Sequence, residues 1–257
     1  MNQPESKCSC QTPTAGRYDR QLPLFGREGQ EKLANASVFI AGAGGLGSPV
    51  ATYLAAAGVG KIVLLDCDTV EKTNLNRQFL HRDADVGRQK AESGAEKLKA
   101  MNPEIQVNSV CDLLTAENVE NLIGGCQIIV DALDNDKTRR LLAAFAVRTG
   151  RPYFHAAVSG FRGQFASFYP KDGPCYFCAF PEAEDENESN ESEQPVFPIV
   201  GATAGIIGSM QANEIIKYIT NAGKKQVGRL FIWDGLSNSF DVIEIEKDAE
   251  CAVCCKN

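Results

Sequence analysis

The stretch Ser37-Val38-Phe39-Ile40-Ala41-Gly42-Ala43-Gly44-Gly45-Leu46-Gly47 decides the fold. Its first five residues read as a buried strand, and the six that follow fit G-x-G-x-x-G. Small and apolar residues over 46–57 then read as a helix that Gly58 ends. Strand, glycine turn and helix in that order present backbone N–H groups and the positive end of a helix dipole to a phosphate. The missing side chains let the phosphate come close. Asp66 closes the next apolar run, 61–66, where an acid usually holds ribose hydroxyls. Taken alone, these residues say that an adenosine nucleotide binds, and they favour an NAD-dependent dehydrogenase.

Outward from that stretch, helices at 87–101, 115–123 and 136–149 alternate with strands at 105–110 and 126–131, the βαβα order of a doubly wound parallel sheet. Upstream, 17–35 reads as a helical lead-in interrupted by Pro23 and Gly26. After Pro152 the pattern changes. Strands at 153–157 and 164–169 flank the bend Ser159-Gly160-Phe161-Arg162-Gly163, a helix occupies 201–221, and strands at 229–233 and 239–246 form a hairpin around Asp234-Gly235. The expected fold is α/β and Rossmann-like, a doubly wound sheet with a parallel first half and antiparallel strands in the second. It makes one domain over 17–257, with a disordered tail at 1–16 and a mobile acidic loop at 182–194.

Composition excludes several classes of function. The hydrophobic fraction of 44% is that of an ordinary globular protein, and a net charge of −7 argues against nucleic acid as the main partner. No apolar run approaches the roughly 20 residues of a membrane helix. The first 16 residues lack the apolar stretch of a signal peptide, so the expected location is cytoplasmic, where the ten cysteines stay reduced. Two pairs, Cys175-x-x-Cys178 and Cys251-x-x-Cys254, have metal-ligand spacing and read as a closed structural zinc site of four thiolates. Cys67, Cys111 and Cys126 read as small buried hydrophobes, and Cys8 and Cys10 fall in the tail.

The residues beyond Asp66 turn the preference away from a dinucleotide. Asn74-Leu75-Asn76-Arg77-Gln78 and Lys90 add an amide and two cations where a dinucleotide needs none, whereas a triphosphate and its departing pyrophosphate would be stabilised by them. Val130-Asp131-Ala132-Leu133-Asp134-Asn135 sets acids just past a strand's carboxyl end, where open α/β sheets bind ligands. Asp134 is a candidate Mg²⁺ ligand. Asp131, nearer the strand, could instead be structural, for example as a cap on the following helix.

With Arg17-Tyr18-Asp19-Arg20-Gln21, Asp66-Cys67-Asp68-Thr69-Val70, Gly173-Pro174-Cys175-Tyr176-Phe177-Cys178 and the small-residue run 205–212 added, the chain resembles the MoeB/ThiF/HesA family, relatives of ubiquitin-activating enzymes. The match runs from about residue 17 to 255. The resemblance implies an adenylyltransferase that uses ATP and Mg²⁺ to adenylate the C-terminal glycine of a small ubiquitin-like sulfur-carrier protein ending in Gly-Gly. A separate donor then supplies sulfur, for molybdopterin, thiamin or tRNA thiolation. By matching motif, Gly45 lies against the nucleotide, Asp66 holds the ribose, Asn74, Arg77 and Lys90 contact phosphates, and Asp134 is the essential acid. Gly42, Gly44, Gly47, Asp68, Gln78 and Asn135 complete the nucleotide-binding set. Arg20 either reaches into the partner subunit's site of a homodimer or is a surface charge. Some relatives carry a substrate-linked cysteine in the crossover before the small-residue helix. Here 192–199 has none, which favours an enzyme that stops at the adenylate. Adenylation of a small or RNA-linked carboxylate by the same site is the alternative. Neither histidine is needed as a base, because a carboxylate of pKa about 3.5 is already ionised near pH 7. His81 is assigned a structural role.

Overall fold

A computed structural model describes residues 16–181 and 198–255. All of the tail but Gly16, the acidic loop and all but the end of the crossover lie outside those residues, as do Cys8 and Cys10. Eight strands form one sheet in the order β3-β2-β1-β4-β5-β6-β7-β8. β1 (Ser37–Ala41), β2 (Lys61–Leu65), β3 (Gln106–Val110), β4 (Ile128–Asp131) and β5 (Tyr153–Ser159) run parallel. β6 (Arg162–Phe168), β7 (Arg229–Asp234) and β8 (Ser239–Glu244) are antiparallel.

The continuous apolar runs in the sequence arise because both faces of the parallel half are covered. Val38, Ile40, Ile62 and Leu64 face a core shared with α1 (Leu22–Asn35), α2 (Gly47–Ala57), α3 (Lys90–Met101) and α7 (Gly201–Thr220). Phe39, Val63, Leu65 and Ile129 face the opposite core, against α4 (Val119–Ile123), α5 (Asp136–Thr149) and α6 (Tyr176–Ala179). Alternate side chains of each strand therefore feed different cores, as the two-residue strand repeat requires.

Several boundaries differ from the sequence reading. The lead-in helix begins at Leu22, so Arg20 lies in a turn before it. Pro23 sits in the first helical turn, where it is tolerated, while Gly26 (φ 69°) does break the helix. α3 starts at Lys90 rather than 87, because 83–85 form a separate 3-10 turn and Gly87 takes φ 87°. α4 is shorter than 115–123. Cys126 is buried as expected, but Cys67 and Cys111 are exposed, since Cys67 lies two residues past the end of β2 and Cys111 one past the end of β3, where each has left the sheet.

Candidate functional site

The strand order reverses at β1, whose neighbours are β2 and β4, and the carboxyl ends of strands at such a switch point are where open α/β sheets bind ligands. The glycine loop after β1 and the turn after β4 meet there. Ala132 N donates to Ala41 O at 2.9 Å. Gly42 takes φ 102°, and a Cβ there would stand 2.5 Å from the Ala132 carbonyl oxygen, so glycine is required. Gly47 is equally constrained: a Cβ would fall 1.9 Å from Gly42 O. Gly44 and Gly45, by contrast, remain partly open at the N-terminal end of α2.

Asp66 secures this loop. Its Oδ2 accepts from Ala43 N at 2.8 Å and its Oδ1 from Asp68 N at 2.9 Å. Burial raises its carboxyl above the ordinary range in spite of those two hydrogen bonds and the nearby Lys90 charge. From the other side His81 Nε2 lies 3.1 Å from Ala43 O and Nδ1 2.9 Å from Ser93 Oγ. A carbonyl can only accept, so Nε2 carries the proton and the Ser93 hydroxyl donates to Nδ1. Lys97 Nζ donates to the same hydroxyl and pairs with buried Asp85. Burial holds His81 below its usual pKa, which suits this neutral form. His81 thus supports the loop by its backbone.

Arg77 and Gln78 line the loop's open side. A Cβ on Gly45 would stand 3.6 Å from Arg77 Cγ, and one on Gly44 3.5 Å from Gln78 Nε2. Among the described residues the Arg77 guanidinium is engaged only by its own segment, at Thr73 O and Asn76 Oδ1, and Gln78 Oε1 is buried without a hydrogen-bond partner. Lys90, with 9% of its side chain exposed, pairs with Asp68 at 2.8 Å. Asn74 is buried, its Oδ1 accepting from Glu71 N to close a 3-10 turn. Asp134 is exposed and makes no hydrogen bond or ion pair among the described residues. Asn135 caps α5, its Oδ1 accepting from Thr138 N at 2.9 Å. That cap is the role considered for Asp131, and Asp131 does not fill it.

Asp131 instead anchors a buried polar network that the sequence reading passed over. Its Oδ2 accepts from Arg139 Nε (2.9 Å), the Tyr153 hydroxyl (2.8 Å) and His155 Nδ1 (2.7 Å). Burial pushes the carboxyl up, but the His155 hydrogen bond and the Arg139 charge outweigh it and hold the group below the ordinary range. Burial keeps His155 below its usual pKa and therefore neutral, with Gln164 Nε2 3.3 Å from its Nε2. The available signal was one polar side chain interrupting each of two apolar strands, Asp131 in β4 and His155 in β5; their pairing comes from the fold.

Arg20 lies away from the glycine loop. Gln21, its neighbour, donates to Ala57 O at 2.8 Å, and the Tyr18 ring packs on Gly58. Both contacts are at the carboxyl end of α2, about 16 Å along the helix from the glycine loop.

The four cysteines of the two pairs come together at the end of the sheet's antiparallel half. Cys175 Sγ is 3.8 Å from Cys178 Sγ and 3.7 Å from Cys251 Sγ, and Cys178 Sγ is 3.7 Å from Cys254 Sγ. Four thiolates about 2.3 Å from a tetrahedral zinc have edges of about 3.8 Å, so the donor set and its spacing fit that ion. The site would tie α6 to the C-terminal residues. Protein purified without chelators should carry about one zinc per chain by elemental analysis, and Cys178→Ser/Cys254→Ser together should abolish it and lower the unfolding temperature. Zinc retained by the double variant would refute the assignment.

Residues 18–253 match the model of the ThiF family. The chain is 38% identical to SAMP-activating enzyme E1 of Haloferax volcanii, over 93% of this chain and 88% of that protein. It is 39% identical to a sulfur carrier protein adenylyltransferase of Thermus thermophilus, over 93% and 90%. Among solved structures, E. coli MccB with ATP superposes with a TM-score of 0.83 at 26% identity, covering 95% of this chain and 75% of that one.

Proposed function

Because this chain belongs to the ThiF family, we propose that it is an ATP-dependent adenylyltransferase whose substrate is the C-terminal glycine carboxylate of a small ubiquitin-like sulfur-carrier protein. The observation that carries this reading is the meeting of an open glycine loop, the Arg77 stem and the exposed Asp134 turn at the carboxyl ends of β1 and β4. The relatives named for sulfur-carrier and SAMP activation support the protein substrate, and the neighbour solved with ATP supports the nucleotide.

The chemistry follows from where charge builds. A carboxylate is a poor electrophile, and its oxygen attacks the α-phosphate while the bond to pyrophosphate breaks. The acyl-adenylate and free pyrophosphate result. Gly44, Gly45 and Gly47 present backbone N–H groups to the phosphates, Asp66 holds the ribose, and Arg77 and Lys90 face the negative charge that grows on the departing pyrophosphate. For Lys90 this means sharing or leaving Asp68. Gly42 shapes the loop, and Asn74, Asp68, Gln78 and Asn135 frame the site. Asp134, which has no partner among the described residues, would hold Mg²⁺, which supplies charge neutralisation to the phosphates. The adenylate then passes to a sulfur donor acting separately. Thiols left free throughout the described residues suit a reducing cytoplasm, and the working unit is a homodimer.

ATP–pyrophosphate exchange, measured with small proteins ending in Gly-Gly from the same cell, tests the reading. Exchange should depend on one of them and vanish when its last two glycines are removed. Exchange that persists after that removal would overturn the protein-tail substrate, and failure of any carboxylate to support exchange would overturn adenylation itself.

A further inference from the structure

A buried ion pair is an expensive way to fill a core, since apolar residues of the same volume often stabilise a fold as well or better. Arg139 and Asp131, with 12% and 0% of their side chains exposed, therefore need a use beyond stability, and their remaining hydrogen bonds indicate one. While Arg139 Nε donates to Asp131 Oδ2, its Nη2 donates to Leu133 O at 2.6 Å. The other carboxylate oxygen, Oδ1, accepts from Leu133 N at 3.0 Å. Both polar backbone atoms of Leu133 are thus held by one ion pair, and Leu133 immediately precedes Asp134. On the far side Asn135 is fixed as the cap of α5. An exposed carboxylate with no partner among the described residues stands between two anchored residues.

The anchor is itself braced from three elements. His155 and Tyr153 on β5 donate to Asp131 Oδ2. Gln211 on α7 donates to the carbonyls of Asp131 and Phe154, at 2.9 and 2.8 Å. The rings of Tyr176 on α6 and of Phe180 close over His155, with centroids 5.3 and 5.2 Å away.

We propose that Arg139, braced by Asp131 and His155, is the positioning residue that fixes the Asp134 turn to receive the divalent cation of the nucleotide. This rests on the reading of Asp134 as a metal ligand. The role requires the shape of a guanidinium: its planar fork reaches the carboxylate and the Leu133 carbonyl together, whereas a lysine ammonium would satisfy the carboxylate and release the turn.

The test is Mn²⁺ binding, followed by electron paramagnetic resonance with a non-hydrolysable ATP analogue present, together with urea unfolding. Arg139→Lys should weaken Mn²⁺ binding about tenfold or more while leaving most of the stability, because Asp131 keeps a cation. His155→Asn, which preserves a donor to Asp131, should stay within about threefold of wild type. His155→Leu should weaken binding and serves as the second variant if Arg139→Lys fails to fold. Wild-type Mn²⁺ affinity in the folded Arg139→Lys or His155→Leu protein, with Asp134→Ala abolishing binding, would reduce the network to a structural role. Wild-type affinity in Asp134→Ala would remove the metal reading of Asp134 and this proposal with it.

Discussion

Asp134→Ala is expected to lower ATP–pyrophosphate exchange by about 10²–10³-fold or more while leaving the unfolding midpoint close to that of wild type. The two halves of that expectation have separate causes. Asp134 is exposed and bonded to nothing among the described residues, so folding gains little from its carboxylate and its loss should fall within the range of ordinary surface changes. Its position past β4, beside the glycine loop, is where the proposed reaction would build charge as pyrophosphate departs. An acid placed there without a partner among the described residues is available to a cation, and on the proposed reading its loss would leave the triphosphate's charge uncompensated. The comparison with Asp131, three residues earlier, sharpens the test. Asp131→Ala would leave Arg139 as a buried cation without its carboxylate partner, so that variant should unfold far more easily. Exchange at the wild-type rate in a folded Asp134→Ala protein would sink the assignment.

The contrast between these two acids shows what the sequence makes legible. Both stand in Val130-Asp131-Ala132-Leu133-Asp134-Asn135, and the position of the motif after a strand was readable because parallel strands buried on both faces leave continuous apolar runs. The glycine loop was readable for a similar reason. Gly42 and Gly47 tolerate no Cβ, so the chemistry of a close turn is written into residue type. What escaped were contacts made by residues far apart along the chain. Arg139, Tyr153 and His155 converge on one carboxylate oxygen only through the pairing of β4 with β5 and the return of α5, and no local pattern encodes that meeting. Cys67 and Cys111 were misjudged on a smaller scale. One or two residues past a strand's end separate a buried side chain from an exposed one, and apolar neighbours do not mark that boundary. The cysteine pairs fall between these cases: their spacing named the ligands, while the fold supplied the 3.7–3.8 Å edges.

Mixing inactive Arg20→Ala and Asp134→Ala homodimers under conditions that exchange subunits should restore roughly a quarter of wild-type exchange activity. The expectation starts from position. Arg20 sits at the carboxyl end of α2, held there by the contacts of Gln21 and Tyr18, whereas the glycine loop lies at the amino end about 16 Å away. Within one chain the guanidinium cannot span that distance, so a role in the nucleotide site requires delivery by a second subunit. Arginine suits such delivery because it stays charged and its fork matches phosphate oxygens, as an arginine finger does. In a mixed dimer, the Arg20→Ala chain keeps its own Asp134 and receives Arg20 from the other chain, making one complete site, while the second site lacks both groups. About half of randomly reassorted dimers are mixed, and each has one good site of two, which gives the quarter. Delivery within one chain would yield no complete site in any combination. Absence of recovery, with subunit exchange verified by mass spectrometry, would therefore exclude Arg20 from its partner's site and leave it the surface charge that its exposure in the isolated chain displays.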